Sequence, residues 1–223
     1  MSLIQLSDIV KSYPDGDNKW NFVLRGVSMD VRKGDFVAVM GASGSGKTTL
    51  LSVLGTLLLP DSGGYRLDGT DMFSVGVDLP AVRNRSIGFV FQEHRLMPQY
   101  TVLDNILLPM LACMSKAGKE HVEYAHQLME ITGIASIGNQ FPHTISGGEA
   151  SRTALCRSMI MKPLLLLADE PTGQLDNENS RNIVSLLSQI NKELDTTIIM
   201  VTHSEEVSKA ANSILTIKDG MLL

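Results

Sequence analysis

Gly41-Ala42-Ser43-Gly44-Ser45-Gly46-Lys47-Thr48 follows directly on the apolar run Phe36-Val37-Ala38-Val39-Met40 and fits the pattern G-x-x-x-x-G-K-[ST]. The pattern describes a loop between a strand and a helix whose glycines let backbone N–H groups close around phosphate oxygens. In such a loop the Lys47 ammonium reaches the β/γ oxygens and the Thr48 hydroxyl ligates Mg²⁺. By average residue usage, about one random chain in a hundred of this length would carry the pattern. The loop points to an α/β fold around a parallel sheet, and by itself it specifies only a nucleotide.

Three more apolar runs end in the same way. Leu164 to Ala168 leads into Asp169-Glu170, Ile87-Gly88-Phe89-Val90-Phe91 into Gln92, and Ile198-Ile199-Met200-Val201 into Thr202-His203. Short runs of this kind read as strands buried on both faces of a parallel sheet. Polar residues at their carboxyl ends converge on the crevice where open α/β sheets bind ligands. Asp169 then faces Thr48 as a second Mg²⁺ ligand, and Glu170, one residue further out, orients or deprotonates an attacking water. A lone glutamine or histidine after a strand is an ordinary turn residue. Convergence gives Gln92 a polar contact to Mg²⁺ or the attacking water, and His203 one to the γ-phosphate.

Ser146-Gly147-Gly148-Glu149 has two compatible readings. Ser146 as N-cap with Glu149 three residues on is a capping box at a helix start. Two glycines at that terminus also expose backbone N–H groups and a positive dipole end, which make an anion site. The helix start does not say whose phosphate it meets.

With Gln174-Leu175-Asp176 added, these stretches stand in the order found in one family. From end to end the chain resembles the nucleotide-binding subunit of an ABC transporter, with P-loop, Q-loop glutamine, L-S-G-G-Q signature, acidic strand, D-loop and switch histidine. The resemblance implies a P-loop NTPase core with a RecA-like parallel sheet, an antiparallel β subdomain and an inserted helical subdomain. It implies ATP held by Gly41, Ala42, Ser43, Gly44, Ser45, Gly46, Lys47, Thr48 and Thr49, and Mg²⁺ held by Thr48, Gln92 and Asp169. It also implies catalysis by Glu170 with His203 and Gln92. Ser146, Gly147 and Gly148 would meet the γ-phosphate bound by a second copy, giving a head-to-tail dimer around two ATP molecules, with Asp176 communicating across the interface. Tyr13, in Val10-Lys11-Ser12-Tyr13, would stack on adenine; its alternative role is that of a strand aromatic, and Pro14 to Asn18 make a longer excursion before the next strand.

The signature departs from the family pattern. It opens with Ile145, carries Glu149 where glutamine is usual, and continues Ala150-Ser151-Arg152. Glu149 places a negative charge near a polyphosphate, so closure or turnover could be altered. Ser-Gly-Gly is intact and Glu170 is present, which reads as a competent hydrolase.

Composition fits one domain spanning 1–223. The core and β subdomain are expected at about 1–92 and 162–223, and the helical subdomain at about 93–161, with Val122, Ala125, Leu128 and Met129 on one helix face. Residues up to about 35, with Gly64 to Met72, alternate as antiparallel strands. Lys47 to Leu57 and Asn179 to Leu194 read as helices, and Lys218-Asp219-Gly220 as a tight turn. The net charge of −5, with both signs interspersed, presents no basic face for nucleic acid. Cys113 and Cys156 form neither a disulfide nor a zinc framework, so a reduced cytosolic setting is the default. No run reaches the roughly 18 apolar residues of a membrane span, and Met1 to Val10 does not read as a signal peptide. The expectation is a peripheral protein on the cytoplasmic face of the cell membrane, with an integral-membrane permease on a separate chain.

The wording of the glycine loop, of Arg83-Asn84-Arg85 before Ile87 and of Ala168 to Asp176 is similar to that of one group of ABC ATPases. That group serves lipoprotein release, macrolide efflux, antimicrobial-peptide resistance and the cell-division permease complex, and it implies mechanotransmission in place of passage through the membrane. Two rivals stand beside it. A soluble P-loop kinase explains Lys47 and Asp169 but not Ser146-Gly147-Gly148, Asp176 and His203. A repair or translation ABC protein explains the motifs, but usually carries a long coiled coil or two cassettes.

Overall fold

Two long strands, β1 (Ser2–Pro14) and β2 (Trp20–Arg32), precede β3 (Phe36–Met40), which runs into the glycine loop and α1 (Lys47–Leu54). Next come β4 (Ser62–Leu67), β5 (Thr70–Asp71), α2 (Leu79–Ser86) and β6 (Ile87–Val90). Three helices follow, α3 (Val102–Leu111), α4 (Lys119–Ile131) and α5 (Gly147–Met159). The chain then alternates β7 (Leu165–Asp169), α6 (Asn177–Leu194), β8 (Thr197–Thr202) and α7 (Glu205–Ser208) before β9 (Ser213–Lys218) and β10 (Met221–Leu222). The computed structural model describes residues 1–16, 19–114 and 117–223, so the excursion expected over Pro14 to Asn18 lies partly outside the described residues.

The strands form two sheets. One has four antiparallel strands in the order β2-β1-β4-β5. The other has six, in the order β10-β9-β3-β8-β7-β6, parallel from β9 to β6 with β10 turned back on β9. Alternation along the parallel strands feeds two apolar cores, because successive side chains point to opposite faces. Ala38, Leu166, Ala168, Ile198 and Met200 pack with α3, α4, α5 and α6. Val37, Val39, Leu165, Leu167, Ile199 and Val201 pack with α1 and the antiparallel sheet. Burial on both faces is why these strands read as unbroken apolar runs.

Two boundaries differ from the expected ones. The first helix ends at Leu54 and not at Leu57: Gly55 caps it, the Phe89 ring fills the space where a Cβ on Gly55 would stand, and Thr56 turns back at φ 52°. The Arg83 guanidinium donates to the Thr56 carbonyl at 2.8 Å and fixes that reversal. The last long helix starts two residues earlier than expected, at Asn177, because Asp176 is its N-cap. The turn at Lys218-Asp219-Gly220 joins β9 to β10 with positive φ at both Asp219 (51°) and Gly220 (78°), as a tight hairpin requires. Helix α2, started by the Asp78 cap with Pro80 in its first turn, has no counterpart in the sequence reading.

Candidate active site

Parallel register brings the distant polar residues to one edge. Met40 pairs with Thr202, and Asp169 with Val201, so the glycine loop, His203 and Glu170 leave three adjacent strands side by side. They wall a cleft of about 830 Å³ with the loop glycines, Ala42, Ser43, Lys47, Thr48, Thr49, Gln92 and Asp169. Asn21 and Val23 of β2 line it as well, and the sequence reading missed both. Their route into the site is Gly46. It sits at φ 105°, and the Val23 carbonyl lies 2.7 Å from where its Cβ would be, so β2 presses directly on the loop.

The loop is built for an anion. No side chain caps the start of α1, which leaves its first N–H groups and positive dipole end toward the cleft. The Lys47 side chain is buried, and its Nζ donates to the carbonyls of Gly41 and Ala42 at 2.8 Å each. Ser45 Oγ is buried without a hydrogen-bond partner among the described residues, and Ser45 is not part of the cleft wall. Thr48 Oγ1 lies 3.5 Å from Asp169 Oδ1. Burial holds the Asp169 carboxyl above its ordinary value; the neighbouring Glu170 charge adds to this, while the Thr48 hydroxyl, Lys47 and Arg95 oppose it. Hydroxyl, carboxylate and amide oxygens on Thr48, Asp169 and Gln92 form a hard donor set that fits Mg²⁺.

Glu170 follows β7 in the left-handed region, φ 47°, and the turn closes with Gly173 N–H donating to its carbonyl at 3.0 Å. His203 Nδ1 stands 2.9 Å from both Glu170 carboxylate oxygens, and the Nδ1–H tautomer makes the ring the donor. The two residues also line a second cavity of about 440 Å³ beyond the cleft. Gln92 Nε2 lies 3.1 Å from where a Cβ on Gly173 would be, so the glycine gives the amide its room.

Ser146 caps α5 as expected, in a complete capping box with Glu149. Gly148 is buried, and a Cβ there would collide with the Asn179 amide. Asn179 in turn donates through its backbone N–H and Nδ2 to the two carboxylate oxygens of Asp176, both at 2.8 Å. Asp176 and the signature glycine are therefore bridged within one chain, a link the sequence reading did not contain. Ser146, Gly147, Gly148 and Asp176 are not part of the cleft wall. Neither is Tyr13, which pairs across β1 and β2 with Asn21 and carries Lys11 Nζ 5.8 Å from its ring centre. A long-range tie was also missed: the Arg157 guanidinium on α5 donates to the carbonyls of His94 and Arg95 at 2.7 and 2.8 Å, behind Gln92.

A glycine loop between strand and helix, a buried lysine, and an acid and a histidine from neighbouring strand ends define a P-loop nucleotide hydrolase. Residues 24–173 match the ABC transporter family, and the chain belongs to that family as an ATP-binding, ATP-hydrolysing subunit. It is 40% identical to the lipoprotein-releasing system ATP-binding protein LolD 1 of Rhodopirellula baltica, over 99% of this chain and 96% of that protein. It is 42% identical to the ABC transporter ATP-binding protein YknY of Bacillus subtilis, over 99% and 95%. It is also 41% identical to the macrolide export ATP-binding/permease protein MacB of Rhodopirellula baltica, but spans only 32% of that protein's length. The dimeric structure of the bacterial ABC transporter cassette MJ0796 superposes with a TM-score of 0.89 at 33% identity, covering 98% of this chain and 96% of that one. The same cassette is known as a dimer in a post-hydrolysis state bound to ADP and Pi, with a TM-score of 0.88.

Proposed function

We propose that the subunit works as a head-to-tail homodimer, peripheral on the cytoplasmic face of the cell membrane, that closes on two Mg²⁺–ATP molecules and drives a separate permease by mechanotransmission. The observation that carries this reading is the place of the signature. Ser146, Gly147 and Gly148 stand outside the chain's own cleft, on a helix start with exposed Ser146 and Gly147. Their anion-binding geometry serves a phosphate only when another copy presents one.

Within the cleft, the loop N–H groups and Lys47 hold the β- and γ-phosphates, and Thr48, Asp169 and Gln92 hold Mg²⁺. The ion, when bound, offsets the charge on the β/γ oxygens. Glu170 takes the proton of the attacking water, and His203 positions Glu170 and the γ-phosphate. Tyr13, the cross-strand partner of the cleft residue Asn21, is the aromatic that would stack on adenine. Asp176 reports across the interface. The permease is received by a groove of about 410 Å³ lined by Phe91, Arg95, Leu108, Pro109, Arg157 and Met161. Arg157 ties this groove to α5, whose first residues are the signature. The relatives named for lipoprotein release and macrolide export support an efflux or release system, and the cell-division complex is the alternative of the same fold.

Glu170→Gln tests the dimer. Turnover is expected to fall by about 10²–10⁴ while ATP still binds. The variant should run as a dimer with ATP and Mg²⁺ in size-exclusion chromatography with light scattering. A monomer at saturating ATP overturns the reading.

A further inference from the structure

We propose that Glu149 is a positioning residue that holds the Ser146 hydroxyl on its own helix cap, so that its carboxylate sets how much ATP is needed to close the dimer. The inference rests on the reading of Ser146 as the contact to the partner's phosphate. Glu149 Oε2 accepts from both the Ser146 N–H and the Ser146 hydroxyl, at 2.8 Å each, and the Glu149 N–H donates to Ser146 Oγ at 3.3 Å. A serine hydroxyl has one proton, and an ionised phosphate oxygen only accepts. Ser146 therefore reaches the phosphate as a donor only after letting go of Glu149.

Two features make that release costly. The bond is charge-assisted, and such bonds are roughly twice as strong as neutral ones. The Ser146 backbone N–H and hydroxyl also hold the Glu149 carboxyl below its ordinary value, so it stays ionised beside an incoming polyphosphate. The capping box alone would not carry the argument. The same box starts α3, where Asp104 Oδ2 accepts from the Thr101 hydroxyl at 2.6 Å, and there it is a helix start only. At α5 the capped hydroxyl is the one the second protomer needs. The neighbouring groups have no such conflict: Gly147 faces open space, and Gly148 is fixed against Asn179.

A glutamine separates cap from latch. Its Oε1 takes the place of Oε2 and accepts from the Ser146 N–H and hydroxyl as before, but the bond to the hydroxyl is then neutral and roughly half as strong; glutamine also serves in capping boxes. The experiment measures, in the Glu170→Gln protein, the ATP concentration giving half-maximal dimer by light scattering. Adding Glu149→Gln should lower it by about tenfold or more, with two latches weakened per dimer. Thermal midpoint without nucleotide and ATP affinity of the monomer should stay unchanged. In a Ser146→Ala background the Glu149→Gln effect should vanish, since the glutamate acts through that hydroxyl. An unchanged ATP requirement, or an equal shift with Ser146→Ala, overturns the proposal. Ser146→Arg supplies the control on the underlying reading. If it dimerises normally with ATP, the trans contact itself is wrong; if it blocks dimerisation while Glu149→Gln changes nothing, the latch alone is wrong.

Discussion

In the cleft the reactive groups already hold one another: Lys47 caps the loop carbonyls, Thr48 stands by Asp169, and His203 holds Glu170. At the start of α5, Ser146 and Gly147 are exposed, and among the described residues the acceptor for the Ser146 hydroxyl is the glutamate of its own cap. On the proposed reading the first region is finished by one chain and the second is a surface offered to another. Nucleotide binding is then a property of the monomer, whereas turnover belongs to the pair.

The largest expected effect breaks the cleft side. Lys47→Ala removes the charge facing the β/γ oxygens, and hydrolysis should be abolished together with a loss of ATP affinity. Unchanged binding in an equilibrium titration would remove the glycine loop from the nucleotide site. Ser146→Arg addresses the other side. Monomer ATP affinity should remain nearly intact while turnover drops by at least about 10²–10³, the cost of one lost preorganised donor, because the bulky side chain also blocks closure. Mixed with Lys47→Ala chains, it should recover at most one composite site per dimer, and normal hydrolysis by Ser146→Arg as a monomer would erase the distinction between the regions.

Smaller effects are expected further from the phosphates. Met97 and Tyr100, 46% and 40% exposed on the segment that follows Gln92, lie outside the groove lining and are where a charge tests whether the permease surface extends along this segment. Met97→Asp and Tyr100→Asp should each weaken permease capture by about 1–2 kcal/mol and uncouple transport, with basal ATPase activity retained. Loss of ATPase activity and folding with capture intact would make the segment core.

The smallest effect lies at the outer sheet. Asp61 accepts from Lys11 Nζ at 2.7 Å and from the Ser12 N–H and hydroxyl, and these bonds lower its carboxyl from 3.8 to about 2. A carboxyl held below its unfolded value contributes stability above pH 3.8, and that contribution is lost as pH falls through about 2. Because the pair is at the surface, Asp61→Asn should cost at most about 1 kcal/mol at pH 7. Denaturant midpoints of the two proteins should converge at pH 2, and a difference that grows on acidification would contradict the assignment.

What the sequence made legible is what depends on local chemistry. Gly41 to Thr48, the acids after Leu164 to Ala168 and the Ser146–Glu149 box are each written in a few consecutive residues, and each stands where that chemistry puts it. Asn21 and Val23 were not legible, since only the close approach of β2 to Gly46 brings them into the cleft. The early end of α1 depends on Phe89 and Arg83, more than 25 residues away, as the 27-residue separation of Arg83 from Thr56 shows. Arg157 reaches carbonyls 62 and 63 positions back in the chain, and no pattern of side-chain types signals a bond to a carbonyl. Asp176 read as an interface residue, yet its capping of α6 was available from the N-cap rule and was passed over.

The approach of Asn179 to Gly148 makes the mutational histories of two positions conditional on each other. They share one small volume, so an alanine introduced first at Gly148 lands on the Asn179 amide and disturbs both the signature and the Asp176 cap. Made after Asn179 has been replaced by glycine, the same alanine no longer meets the amide. The order of the two changes, and not only their sum, decides whether a lineage can cross between them.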